Sequence, residues 1–168
     1  MACQKKRILS TKQLEHEFLA NLAFVTSPQA IGHNSTTGSR ELHRVGGNLF
    51  GARFLGVFAA DQIPVPTAPR TYCIINLDKS TNPRNGSHWV ARYTEGSGAD
   101  CSRMYYDSYG RSVSSILPHV SGAHDTDLRP NRVLDQRRTG QDSKSCGQRC
   151  LAALMVAKRG GMQAFAQM

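Results

Sequence analysis

Three short runs rich in β-branched and aromatic residues constrain this chain most: "TYCIINLD" at 71–78, "HWVARY" at 88–93 and "SRMYYDSYG" at 102–110. The segments between them, "STNPRNGS" and "EGSGAD", are built from Gly, Pro, Asn and Ser, the residues of turns. Strands joined by connections this short lie side by side and antiparallel. A three-stranded meander is therefore expected at the centre of the fold.

Helical periods flank it. In "STKQLEHEFLANLAF", Ser10 and Thr11 are good N-caps, and Leu14, Phe18, Leu19 and Leu22 follow at helical spacing. This predicts an amphipathic helix over 11–23. The next stretch, "SPQAIGHNSTTGSRELHRVGGN", is rich in Gly, Ser, Thr and Asn and reads as loop with at most a short helical turn. "LFGARFLGVFAADQIP" should pack on the core, and "PVPTAPR" is a rigid connector. "SVSSILPHV" predicts a short helix ended by Pro118, and the charged "RVLDQRR" an edge strand. The last helix is expected in "CGQRCLAALMVAKR", with Cys150, Leu151, Leu154 and Met155 as its apolar stripe and Gly160 and Gly161 as its end. No repeat or composition break divides the 168 residues, so one domain over 1–168 is expected. The fold class is α+β: a small, mostly antiparallel sheet flanked by helices.

Two placements carry chemistry. Cys146 and Gly147 fall where the last helix should begin, after the candidate caps Ser143 and Ser145. A thiol becomes a strong nucleophile as its pKa falls, and both a helix N-terminus and a neighbouring imidazolium lower it. Gly147 leaves room for a substrate backbone to approach the sulfur. His88 opens the second strand after "RNGS", so its ring is expected at a sheet edge, and Asp107 ends the neighbouring run. Adjacent strands of a meander can bring the two together. An Asp that accepts from one imidazole nitrogen fixes the tautomer and leaves the other nitrogen for a thiol proton.

Charge and cysteine content bound the remaining possibilities. Twenty-one Lys and Arg against 12 Asp and Glu give a net charge of +9. Such a surplus favours polyanions, and with no zinc-finger or basic-zipper signature the expected binding to DNA is electrostatic and not sequence-specific. The basic clusters are Lys5, Lys6 and Arg7, then Arg132, Arg137 and Arg138, then Lys158 and Arg159. The cysteine number is odd, at five, and "MACQKKRILS" lacks a signal-peptide core, which argues against a disulfide framework and for use inside a cell. Zinc fits poorly: Cys146 and Cys150 have no second pair at finger spacing, and His119 and His124 do not supply one. No apolar run reaches membrane-spanning length, so no membrane partner is expected.

The set "CIINLD…NGSHWVARY…YYDSYG…SCGQRCLAAL", with "FLGVFAADQIP" upstream, resembles the adenovirus endopeptidase (adenain) family and, more widely, the SUMO-specific proteases. The resemblance covers roughly residues 50 to 157. It implies a cysteine-protease fold with the nucleophile at the N-terminus of a buried helix. By position it implies His88 as base, Asp107 as orienting acid, Cys146 as nucleophile and Trp89 as the aromatic that follows the histidine. The family's oxyanion glutamine falls best on Gln141, five residues before Cys146; Gln136, ten before, is the other choice.

The resemblance further implies a thiol endopeptidase that cleaves viral precursor proteins during virion maturation, in the virion and the infected-cell nucleus; a monomer is expected. No cofactor is implied, with DNA and a disulfide-linked viral peptide as possible stimulators. The peptide's partner cysteine lies between acid and nucleophile in adenain, and no cysteine lies between Asp107 and Cys146 here; Cys3, Cys73 and Cys101 lie elsewhere. Two alternatives stay open: a deubiquitinase or SUMO-protease-like enzyme, and a catalytically dead, basic nucleic-acid-binding protein.

Overall fold

A computed structural model describes residues 9–31, 37–82, 88–120, 125–128 and 145–167, the short segment 125–128 as backbone only. Helix α1 spans Thr11–Val25, two residues beyond the expected end. Its start is fixed by a capping box: the Gln13 N–H donates to Ser10 Oγ at 3.3 Å and the Ser10 N–H donates to Gln13 Oε1 at 2.8 Å. Leu14, Phe18, Leu22 and Val25 form its buried face. Leu19, expected on that face, is exposed instead, because α1 packs along a stripe that runs through positions 14, 18, 22 and 25.

The segment expected as loop holds a second helix, α2, at Ser39–Phe50. Its Gly46, Gly47 and Asn48 look like turn residues, yet Leu42, Val45, Gly46 and Phe50 keep a helical period of buried positions. Gly46 is required by packing. A Cβ there would lie 2.3 Å from the ring tip of Phe54, so the glycine is what lets helix and strand meet. Tertiary contact has overridden local composition.

A 3-10 turn at Gly51–Arg53 leads into a five-stranded sheet. Its strands are β1 Phe54–Ala59, β2 Thr71–Asn76, β3 Trp89–Glu95, β4 Ser102–Tyr106 and β5 Asp125–Leu128, in that spatial order. The central three form the expected antiparallel meander, with Tyr72 opposite Tyr93 and Tyr93 opposite Met104. The two flanking strands are parallel to their neighbours, so the sheet is mixed rather than mostly antiparallel. The reason lies in the connections: residues 60–70 lead from β1 to β2, and a segment containing helix α3, Val113–Ile116, separates β4 from β5. The expected edge strand "RVLDQRR" lies outside the described residues.

Alternation along the strands builds two cores. Tyr72, Ile74, Ala91, Tyr93, Met104 and Tyr106 face the helices α1, α2 and α4. Cys73, Ile75, Val90 and Tyr105 face Ala60, Val113 and Leu117 on the other side. With both faces covered, β2 and β3 are buried almost end to end.

Helix α4 runs Cys146–Ala166 and lies on the sheet between α1 and α2. Every residue from Cys146 to Leu154 is buried, which marks a helix enclosed all round rather than one with a stripe; Met155, expected in the stripe, is only partly buried. The expected break at Gly160 and Gly161 is present: one helical stretch ends there and a second, short one follows. Gly161 makes the bend, at φ 70° and ψ −160°, a conformation nearly confined to glycine. The chain then continues because Phe165 is fully buried, edge-on to Tyr93 with ring centroids 5.9 Å apart. Burying a side chain of that size stabilises by about 1.5–3 kcal/mol. No helix among the described residues is long and apolar enough to cross a membrane.

Candidate active site

The strand β3 begins and β4 ends at the same end of the sheet, and residues 88 and 107 are the flanking positions. His88 immediately precedes β3, and its carbonyl accepts from the Leu77 N–H at 3.1 Å, which ties it to the end of β2. Since β3 is the central strand, His88 sits at a strand end in mid-sheet and is buried, not at a lateral edge. Asp107 immediately follows β4 and opens a turn in which the Gly110 N–H donates to the Asp107 carbonyl at 2.8 Å; Gly110 supplies the required positive φ of 67°.

Within this frame His88 Nε2 lies 2.6 Å from Asp107 Oδ1, both side chains being buried. The Asp107 carboxylate also accepts from the Tyr109 N–H at 3.2 Å on Oδ1, and from the Arg111 N–H at 3.1 Å and Nε at 2.7 Å on Oδ2. Burial works to raise its pKa, but the hydrogen bonds from His88 and Arg111 outweigh it and hold the carboxyl down at about 2. For His88, burial favours the neutral ring. Hydrogen bonding to Asp107 and to the Cys146 thiol, with the charge on each, carries its pKa above the ordinary imidazole value.

Cys146 is buried and is the first residue of α4. The fold thus brings together His88, Asp107 and Cys146 from three separate parts of the sequence, with the imidazole between carboxylate and thiol. Ser145 occupies the N-cap position, but its side chain does not cap the helix; its Oγ accepts from Arg149 Nε at 3.3 Å instead. Ser143, Gln141 and Gln136 lie outside the described residues.

Trp89 is buried and follows His88 directly. It lines a cleft of about 210 Å³ with Ser39, Asn76, Asp78, Lys79 and Ser80. Gly147 faces inward rather than into open space. A Cβ there would lie 3.1 Å from Leu42 Cδ2 and 3.3 Å from Trp89 Cδ1. The absent side chain is what allows α4 to approach Trp89 and α2.

Three contributors escaped the sequence reasoning. Tyr109 stacks on the His88 ring, with centroids 4.7 Å apart and planes 18° from parallel. The Arg111 guanidinium lies over Tyr109, 5.3 Å from its centroid. Arg149, one helical turn past Cys146, is fully buried and hydrogen-bonds Tyr106. For the first two a signal existed: "DSYGR" is a turn that returns the chain to its own first carboxylate. Arg149 gave none, because a charged residue on a helix is ordinarily solvated.

The basic clusters are only partly in view. Those at 5–7 and 132–138 lie outside the described residues. Lys158 Nζ donates to the Leu49 carbonyl, and Arg159 pairs with Glu17 at 3.3 Å. Both border a groove of about 1090 Å³ between α1 and the later part of α4. At 1.5 Å per residue, this groove is more than two turns of helix from Cys146. Among the described residues, no group of three His, Cys, Asp or Glu side chains could hold a metal ion. No protein-family model matches the chain, and no curated protein matches it.

Proposed function

We propose that this protein is a cysteine endopeptidase of the adenain type, which cleaves viral precursor proteins in the virion and infected-cell nucleus. The observation that carries this reading is the buried His88–Asp107 hydrogen bond of 2.6 Å, with Cys146 at the head of α4 as the other partner of His88.

With Nε2 engaged by Asp107, Nδ1 is the nitrogen that exchanges a proton with the sulfur. The Cys146 thiol gives its proton to His88, and the thiolate attacks the carbonyl carbon of the scissile peptide. The negative charge that develops on the carbonyl oxygen needs N–H donors. The first turn of a helix offers such groups, because they have no intrahelical acceptors. As the tetrahedral species collapses, the C–N bond breaks and imidazolium Nδ1 protonates the leaving amine. A thioester to Cys146 remains. His88 then takes a proton from water, the hydroxide attacks the thioester, and the carboxylic acid and free thiol are released. A positioned general base of this kind is worth about 10²–10⁴ in rate. Asp107 stays ionised throughout, and its hydrogen bond stabilises the imidazolium.

Gln141 is assigned to the oxyanion site by resemblance alone, and Trp89 to the substrate cleft by resemblance and by its place beside His88. The +9 charge supports sequence-independent DNA binding by the same protein. The reading is tested by cleavage of a peptide library with wild type and Cys146→Ala, with and without duplex DNA. Cleavage by wild type only is expected. Equal cleavage by both, or by neither, refutes it. In the DNA arm, anisotropy of labelled duplex should fall steeply with salt, with about −0.9 in slope per phosphate contacted; no binding at low salt removes DNA from the proposal.

A further inference from the structure

The Asp107 carboxylate has two oxygens, and His88 uses one. The second, Oδ2, takes both the backbone N–H and the Nε–H of Arg111, at 3.1 and 2.7 Å. The same guanidinium lies on Tyr109, and Tyr109 lies on His88. Arg111 therefore touches both supports of the imidazole: the carboxylate that accepts its hydrogen bond and the ring that covers its face. Its side chain is 40% exposed, while Asp107 is 1% exposed. The cation stands at the rim and the carboxylate inside.

We propose that Arg111 is a positioning residue of the active site, which locks Asp107 and Tyr109 so that His88 has one orientation toward Cys146. The role rests on the Cys146–His88–Asp107 assignment above. The physical argument has two parts. The terminal torsion of an Asp side chain is broad, so a carboxylate held at one oxygen can swing; two donors on Oδ2 remove that freedom. The stacked series Arg111–Tyr109–His88 then restrains the imidazole plane, which the hydrogen bond to Asp107 leaves free to tilt. The guanidinium is charged at every working pH, so it also keeps the carboxylate ionised.

The other groups around Asp107 do not change charge across the acid range. Tyr106 from β4 and Cys150 from α4 are both pushed upward by burial and stay neutral there. Arg149 of α4, which faces Tyr106, is a guanidinium and stays charged. His88 from the head of β3 and Cys146 are the pair being read out.

The test is the rate of Cys146 alkylation by iodoacetamide from pH 2.5 to 8, with the adduct located by mass spectrometry and melting followed in parallel. Alkylation reports the thiolate–imidazolium pair and needs no substrate. Without the Arg111 guanidinium, burial of Asp107 is opposed only by His88 and by backbone N–H groups, and the carboxyl rises. For Arg111→Gln the acid limb should move up by about one pH unit, a tenfold loss at its foot, with rates near neutrality within about threefold of wild type. Arg111→Lys, which keeps the charge without the fork, should restore at least half of that shift. A profile scaled by one factor at every pH, or an unchanged profile, overturns the role. Should Arg111→Gln melt below the assay temperature, Arg111→Lys decides alone: an acid limb shifted upward supports the role, and a uniformly scaled profile overturns it. If wild type cleaves no peptide while the acid limb still shifts, the protease assignment fails and the positioning role stands.

Discussion

The two ends of the α4–sheet interface use the same materials differently. At the near end a buried carboxylate, Asp107, is held by an arginine and backbone N–H groups beside a tyrosine ring, and it grips His88. At the far end Glu95 accepts from the Tyr93 hydroxyl at 2.7 Å and from the Met162 N–H at 3.1 Å, and Arg70 hydrogen-bonds the same Tyr93. There Glu95 caps the chain as it restarts after the Gly161 bend. Both are charge-assisted networks around one carboxylate. Only the near end adds an imidazole and a thiol. The far network has Tyr93, pushed well above the ordinary phenol range by burial and by Glu95, so its phenol exchanges no proton near neutrality. The difference teaches that a buried, well-bonded carboxylate marks an anchoring point, and that chemistry begins where a group able to titrate near neutral pH is attached to it.

The sharpest way to break this comparison is to remove the proposed nucleophile. Cys146→Ser should fold with an unchanged melting temperature, since the replacement is almost isosteric, and should lose at least about a thousandfold in turnover. Wild-type cleavage by the folded mutant would end the distinction between the two ends.

The proposed base and its orienter come next. His88→Ala should be nearly inactive in peptide cleavage. Asp107→Asn should retain more activity, because the thiolate–imidazolium pair forms in part without the carboxylate; a loss of about ten- to a hundredfold is expected. If Asp107→Asn were dead while His88→Ala cleaved, the roles drawn for the two side chains would have to be exchanged or abandoned.

How much of this was legible follows from the kind of force that decides each feature. The meander is set by local periods and turn residues and α1 by its period and capping box, and the sequence displays those. The meeting of His88, Asp107 and Cys146 was legible because each sits at an element boundary, and boundaries leave marks such as "SYG" and "CGQ". Helix α2 was hidden because Gly46 serves the ring of Phe54, a contact with the strand that follows. The parallel pairing of β1 and β5 was hidden because pairing direction beyond the meander depends on how longer connections run. The second helical stretch beyond Gly161 depends on the burial of Phe165 against Tyr93, and the apparent opening at Gly147 is closed by Leu42 and Trp89. Each of these is a tertiary decision that no local window contains.

Acid stability should separate the ends more gently. Asp107 is held at about 2, below its ordinary value of 3.8, so its contribution is complete above the ordinary value and is lost as pH falls through the folded one. The sign is therefore loss of stability on acidification, of about 2 kcal/mol, between about pH 5 and pH 2. His88 has the opposite sense. Its raised pKa stabilises the fold below the unfolded imidazole value, and that contribution disappears as pH rises through the folded value. Urea unfolding of wild type and Asp107→Asn across this range should show the acid-dependent part shrinking in the mutant. Parallel curves for the two proteins would mean that Asp107 is not the group responsible.

The smallest effect is expected at the far end. Glu95→Gln keeps the size of the side chain and an acceptor oxygen, but it replaces two charge-assisted hydrogen bonds with neutral ones. The net difference for such bonds is about 1 kcal/mol. In a domain of this size that lowers the melting temperature by about 2–4 °C, measurable by calorimetry. Turnover and its pH profile should stay at wild-type values, because α4 is buried continuously from Cys146 to Leu154 and the change acts beyond that rigid stretch. Gly161→Ala sharpens the same point from the backbone side. A φ of 70° with ψ of −160° is strained for any side chain, so it should destabilise by about 1–3 kcal/mol, again without moving the pH profile. A shifted profile in either mutant would show that the two networks are coupled through α4, and the far end would then belong to the site rather than to the scaffold.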